Sequence, residues 1–213
     1  MAQKKKLKAK IVDHRRVFNG FFKMDEYDIE MDRHEGGKQK VTRLMFERGH
    51  AVGILAYDPK RDEVVLVNEM RPGILAAGGY PYTDTLPAGG INKGESDVAC
   101  AKREMVEETG LKLKNAEVIH AGSYVSPGGT SEKISIVFGV VDSSAVAGTI
   151  HGNENESENI KVTVLSSAEF MKRIKSGEIN DMKTMLAGYW LMENRERLQK
   201  PAPAKKKTNS PKL

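Results

Sequence analysis

The chain has 213 residues, with 34 Lys and Arg against 29 Asp and Glu and a formal charge of +5. Hydrophobic residues at 39% and charged residues at 30% suit one globular domain, or one with a small accessory module, and exclude a chain disordered throughout. One cysteine excludes a disulfide framework and a Cys-based zinc site.

No run approaches the ~18 apolar residues of a membrane span, and no apolar stretch follows the basic start as a secretory signal requires. A cytoplasmic protein without a membrane partner is expected. The charge is unevenly placed. Residues 1–10 and 200–213 each carry five lysines and no acid, so residues 11–199 hold a net −5. A nucleic-acid-binding domain would carry basic charge on its body. The two basic ends read first as solvated, functionless tails, with a weak electrostatic arm toward nucleic acid or anionic lipid as the alternative.

Residues 1–10 form a basic N-terminal segment. Residues 11–49 alternate apolar and polar positions, broken at Asn19-Gly20 and Gly36-Gly37, and predict a small antiparallel sheet of about three strands. Ala51–Tyr57 and Glu63–Asn68 read as buried strands joined by a turn at Asp58-Pro59. Gly73–Pro81 reads as a glycine-rich loop. A helix is predicted over Asp97–Thr109, closed by Gly110. Strands are predicted at Ala116–Tyr124, Lys133–Asp142 and Ile160–Leu165, with a polar acidic loop at Ala147–Glu158. Helices follow over Ser167–Ser176, opened by Ser166 and Glu169, and over Asp181–Arg197. Residues 198–213 are expected to be a disordered basic tail. Strands mixed with three helices indicate an α/β sandwich, its main domain spanning 50–197.

The chemistry concentrates in residues 89–111. On the helix Asp97–Thr109, Val98, Ala101 and Met105 form one apolar stripe. Glu104 and Glu108 share an adjacent stripe, and Glu107 joins Glu104 at i+3. Three like charges on one face destabilise an isolated helix. A hard divalent cation relieves that repulsion, because Mg²⁺ and Mn²⁺ take carboxylate oxygens together with substrate phosphates. A solvated acidic face paired with Lys102 and Arg103 is the other reading. Cys100 reads as packing rather than as a nucleophile. His50, His120 and His151 show no paired zinc spacing.

The order Gly89, Glu95, Arg103-Glu104-Met105, Glu107-Glu108, Gly110-Leu111 resembles the signature of the Nudix hydrolase family at every defined position. Leu86-Pro87-Ala88-Gly89 looks like the strand leading into that family's metal loop. Ser126–Glu132, Phe46–Ala51 and Asn19–Phe22 look like segments of its ADP-ribose pyrophosphatase branch. The resemblance covers roughly residues 18–197. It implies a Nudix α/β/α sandwich preceded by a small N-terminal antiparallel β-domain, and a homodimer in which the N-terminal strands exchange. It also implies hydrolysis of the pyrophosphate bond in a nucleoside diphosphate sugar. ADP-ribose, giving AMP and ribose 5-phosphate, is the first expectation. GDP-mannose or a broad range of such sugars is the alternative, because Thr85 stands where many members have an acid. A catalytically silent ligand-binding regulator is a further alternative.

The same resemblance implies residue roles. Glu104, Glu108, Glu158 and the Ala88 carbonyl would hold roughly two or three Mg²⁺ or Mn²⁺ ions. Glu107 is a further ligand or neighbour of one, Arg103 orients the carboxylates, and Glu95 braces the loop. In the acidic loop Glu156 would take a proton from the attacking water, with Glu154 as the alternative base. Arg71 would pair diphosphate oxygens through its planar fork. Glu132 would reach the terminal ribose, Gly128 lies in the segment marking the branch, and Phe21 and Phe22 suit either a purine stack or the core.

Overall fold

A computed structural model describes residues 6–153 and 157–200. Among the described residues eleven strands and four helices make an α/β fold, as expected. Strands β1 (Ala9–Asn19), β2 (Lys23–Asp32) and β3 (Lys38–Glu47) form an antiparallel three-stranded sheet. A second sheet has eight strands. Its main path runs β10 (Ile150–His151), β11 (Ile160–Ser166), β5 (Glu63–Met70), β4 (Ala51–Asp58), β9 (Lys133–Val140) and β8 (Lys114–Tyr124). Two short strands lie off that path, β6 (Tyr82–Thr85) on β5 and β7 (Ala88–Gly90) on β4.

The chain divides into two compact units. The first comprises Met1–Gly53, Ala88–Glu104 and Glu117–Val137, and the second Ile54–Pro87, Met105–Ala116 and Phe138–Leu213. In the first, the turn between β2 and β3 uses Gly36 and Gly37 at φ +98° and +77°, a backbone region that costs a residue with a Cβ. Asp25 of β2 is buried and takes both nitrogens of the Arg16 fork at 2.7 and 3.0 Å. That pairing holds its carboxyl at about 2. The loop after β8 returns to β3, where the Phe46 N–H donates to the Gly129 carbonyl at 2.8 Å.

In the second unit Val64–Val67 of β5 are wholly buried, which explains their uninterrupted apolar run. Helix α3 (Ser167–Ser176) packs on β5 and β11 through Phe170, Met171 and Ile174. Its cap is the one expected, the Ser166 hydroxyl accepting the Glu169 N–H. Helix α4 (Met182–Gln199) packs on α3, and Asp181 caps it by accepting the Thr184 N–H at 3.1 Å. The Asp58-Pro59 turn is closed by the Lys60 N–H on the Asp58 carboxylate at 2.9 Å.

Three stretches differ from the sequence reading. The Gly-rich loop holds one helical turn, α1 (Pro72–Ala76), because Pro72 sits at the first helical position, where its fixed φ fits and its missing N–H costs nothing. The acidic loop opens with β10, a two-residue pairing against β11. Tyr82–Thr85 lacks an apolar run and becomes a strand by pairing with Val67–Met70. The basic segments at 1–5 and 201–213 lie outside the described residues.

Candidate active site

Helix α2 (Asp97–Thr109) carries the acidic signature and has the bounds the sequence implies. The Ser96 hydroxyl accepts the Ala99 N–H at its start, and Gly110 ends it at φ +71°. Ala101 and Met105 are buried and Val98 is half-buried, so the apolar stripe faces inward.

In the first unit, β7 pairs with the start of β4 and sets Ala88, Gly89 and Gly90 beside the helix's opening turns. Arg103 is the hub. Its Nε and Nη2 each donate to one Glu95 oxygen at 3.0 Å, Nη1 donates to Glu104 Oε1 at 2.6 Å, and Nη2 also reaches the Gly90 carbonyl at 3.0 Å. These bonds hold the Glu95 carboxyl at about 2 and push the guanidinium above its ordinary value. Glu95 in turn accepts the Asn92 N–H, bracing the loop as expected. A Cβ at Gly89 would overlap the Glu104 carboxylate. The Cys100 thiol is buried and donates to the Gly90 carbonyl at 3.3 Å. Burial and nearby carboxylates push it up to about 12, so it is no nucleophile at neutral pH.

In the second unit, the last turn of α2 carries Glu107, exposed, and Glu108, only 4% exposed. The acidic loop touches this turn. The Gly152 N–H donates to the Glu107 carbonyl at 3.3 Å, and a Cβ on Gly110 would meet His151 Cε1 at 3.0 Å. Glu158 closes the loop, its Oε2 accepting the Asn153 N–H at 3.0 Å while its own N–H donates to the Asn153 carbonyl at 3.3 Å. Glu154 and Glu156, the two candidate bases, lie outside the described residues. Arg71 follows β5 directly. Its Nη1 pairs with Glu69 at 2.7 Å and its Nη2 donates to the Thr85 hydroxyl at 2.9 Å. Burial raises the Glu69 carboxyl, Arg71 opposes that rise and the charge of Glu158 adds to it.

The remaining candidates lie in the first unit. Phe22 and Glu132 are linked by Arg48, a residue the sequence reading gave no role. Its guanidinium lies 5.2 Å from the Phe22 ring centre, and its Nε stands 3.6 Å from Glu132. Phe22 also meets Phe46 edge-on at 5.1 Å. Phe21 is 93% exposed, which removes it from the core. Phe18, Phe21, Phe22, Lys23, Met24 and Phe46 line a hollow of about 390 Å³. Gly128 is exposed in the loop whose next residue, Gly129, binds β3.

Among the described residues no three His, Cys, Asp or Glu groups form a closed metal site. The available donors are nevertheless of one kind, carboxylate and carbonyl oxygen, which suits a hard divalent cation. Gly89 leaves room for the Glu104 carboxylate beside the backbone of β7.

The NUDIX domain family model matches residues 47–183. The chain belongs to the Nudix family. It is a Nudix pyrophosphohydrolase, and Nudix hydrolases in general use divalent metal ions. ADP-ribose pyrophosphatase of Escherichia coli (strain K12) is 35% identical over 192 residues, covering 90% of this chain and 91% of the relative. The protein of that name from Haemophilus influenzae is 34% identical over 194 residues, 89% of this chain and 88% of its own. GDP-mannose pyrophosphatase of Cronobacter sakazakii is 24% identical over 180 residues, 84% and 93% of the two chains. A solved structure described as the crystal structure of ADP compounds hydrolase superposes with a TM-score of 0.68 at 21% identity, covering 91% of this chain and 97% of that one. That likeness supports the Nudix fold, a small N-terminal antiparallel sheet followed by the larger sheet with its helices.

Proposed function

We propose that this Nudix enzyme hydrolyses the pyrophosphate bond of a nucleoside diphosphate sugar, with ADP-ribose, giving AMP and ribose 5-phosphate, as the first substrate. The observation that carries the proposal is the Arg103 fork, which holds Glu104 in place on a helix retaining Glu107 and Glu108 as well. A ligand-binding module without activity would be free to lose these carboxylates, and here Glu104, Glu107 and Glu108 are all present. The substrate assignment draws on the relatives named ADP-ribose pyrophosphatase.

Glu104, Glu108, Glu158 and the Ala88 carbonyl would hold Mg²⁺ or Mn²⁺. Such ions neutralise the diphosphate and lower the pKa of a bound water. Arg103 fixes the direction of Glu104, and Glu95 fixes Arg103. Arg71 presents its fork to the diphosphate oxygens. Glu156, or Glu154 two residues earlier, accepts the proton of the attacking water, and the bond from phosphorus to the bridging oxygen breaks. Glu132 reads the terminal ribose, and Phe22 offers a face to the base. The protein acts as a cytoplasmic homodimer through residues 11–49, with the lysine-rich ends at most a weak electrostatic arm. Among the described residues no helix is long and apolar enough to cross a membrane.

GDP-mannose is the second reading, favoured by the relative of that name. A panel of ADP-ribose, GDP-mannose and other such sugars, assayed with Mg²⁺ for phosphate-ester products, separates the two. Preference for GDP-mannose overturns the first. Glu108→Gln serves as the control and is expected to lose turnover ~100-fold. A Glu156→Gln and Glu154→Gln pair identifies the base, since only one should abolish turnover.

A further inference from the structure

We propose that Thr85 is a positioning residue for Arg71, setting the direction of the guanidinium that receives the diphosphate. The inference rests on the reading of Arg71 as a substrate contact and adds a residue to which no role has been assigned.

The pleat of β5 and β6 explains the arrangement. Val67 pairs with Thr85, and Asn68 pairs with Asp84. Adjacent positions on a strand point to opposite faces, so Asp84 and Thr85 diverge. Asp84 accepts hydrogen bonds from Asn68 Nδ2 at 2.8 Å, Thr163 Oγ1 at 3.1 Å and Arg173 Nη1 at 3.2 Å. Three elements, β5, β11 and α3, therefore fix β6 from one face. Val67, Glu69 and Arg71 follow the alternation on the other face, where Thr85 stands. Its side chain meets Arg71 there, 2.9 Å from Nη2, while Glu69 holds Nη1 at 2.7 Å.

The two partners are chemically unlike. Glu69 brings a carboxylate and Thr85 a neutral hydroxyl. The Glu69 carboxylate offsets part of the guanidinium charge, whereas the Thr85 hydroxyl fixes direction without offsetting any more of it. Thr85 is 2% exposed, whereas the Arg71 side chain is 33% exposed. The anchor is thus buried and its arginine reaches solvent. An arginine held at both Nη groups loses less freedom when it binds a diphosphate than one that swings free.

The test is steady-state kinetics on ADP-ribose with Mg²⁺, using the full chain. Thr85→Val keeps the shape and removes the hydroxyl. It should raise KM about tenfold, as expected for one hydrogen bond to a charged group, with kcat within about twofold. Thr85→Ser should restore KM. Arg71→Ala should raise KM further, and adding Thr85→Val to it should change nothing more, because Thr85 acts through Arg71. If Arg71→Ala raises KM but Thr85→Val does not, or the two effects add, Thr85 has no positioning role. If Arg71→Ala leaves KM unchanged, the reading of Arg71 itself fails and the proposal falls with it. Should Thr85→Val fold poorly, Thr85→Ala with Thr85→Ser as its rescue gives the same decision.

Discussion

Gly89 and Glu104 are in such close approach that a single methyl group on the glycine would overlap the carboxylate. The obstructing atoms are the far end of a flexible side chain, so the fold can yield by turning Glu104 away. Gly89→Ala should therefore separate stability from activity. Its unfolding free energy should stay within about 1 kcal/mol of wild type, while turnover falls ~100-fold as Glu104 leaves its place. A thermal melt and a turnover assay on one preparation decide the matter. Full activity in the variant would show that Glu104 has no need of that position.

Arg103 answers a related question about how the carboxylate is held. Its planar fork reaches Glu95, Glu104 and the Gly90 carbonyl at once, and an ammonium group cannot copy that geometry. Arg103→Lys should raise the Mg²⁺ concentration for half-maximal activity about tenfold, the usual scale for losing a residue that orients a metal ligand. An unchanged Mg²⁺ midpoint would mean that Glu104 is oriented by something else.

Much of this was legible in the sequence because it is local. The limits of α2, its closing Gly110, the Ser166 cap and the Asp58-Pro59 turn all depend on residues within a few positions of one another. The roles of Arg103 and Glu95 came with the family resemblance, but the bonds that join the two residues were seen only in the structure. What escaped requires pairing between distant strands. Arg48 stands just after β3 and Glu132 just before β9, far apart in sequence, and Thr85 meets Arg71 only because β6 pairs with the second half of β5. Tyr82–Thr85 has no strand pattern of its own, so neither strand nor hydrogen bond could be read from its residues.

Helix packing offers a contrast with Gly89. A Cβ at Gly188 of α4 would run into Ile174 Cδ1 and lie 3.2 Å from Phe170 Cε1 and 3.3 Å from Met171 Sδ, all on α3. These neighbours are buried and have little room to move. Gly188→Ala gains up to about 1 kcal/mol of helix propensity but overpacks the contact at a cost of about 1–3 kcal/mol. The net expectation is a lower melting temperature, with kcat per folded molecule unchanged. A variant as stable as wild type would show that α3 and α4 can separate without penalty.

Asp58 should govern part of the acid stability. It is 1% exposed, and burial by itself would raise its carboxyl. Hydrogen bonds outweigh that. The Ser143 N–H donates at 3.0 Å, the Lys60 N–H at 2.9 Å, the Arg61 guanidinium at 3.0 Å and the Ser143 hydroxyl at 3.0 Å. Together they hold the carboxyl at about 2, below its ordinary 3.8. Between those values the unfolded chain binds more protons than the folded one. The contribution is thus complete above about pH 4 and is lost as pH falls through 2. Its size is at most about 2.5 kcal/mol. Asp58→Asn removes this titration along with the charge-assisted bonds. Urea unfolding at steps from pH 5 to pH 2 should show the gap between wild type and variant narrowing as acid is added. A gap that stays constant over that range would mean the Asp58 carboxyl is not depressed, and that its hydrogen bonds contribute equally in both protonation states.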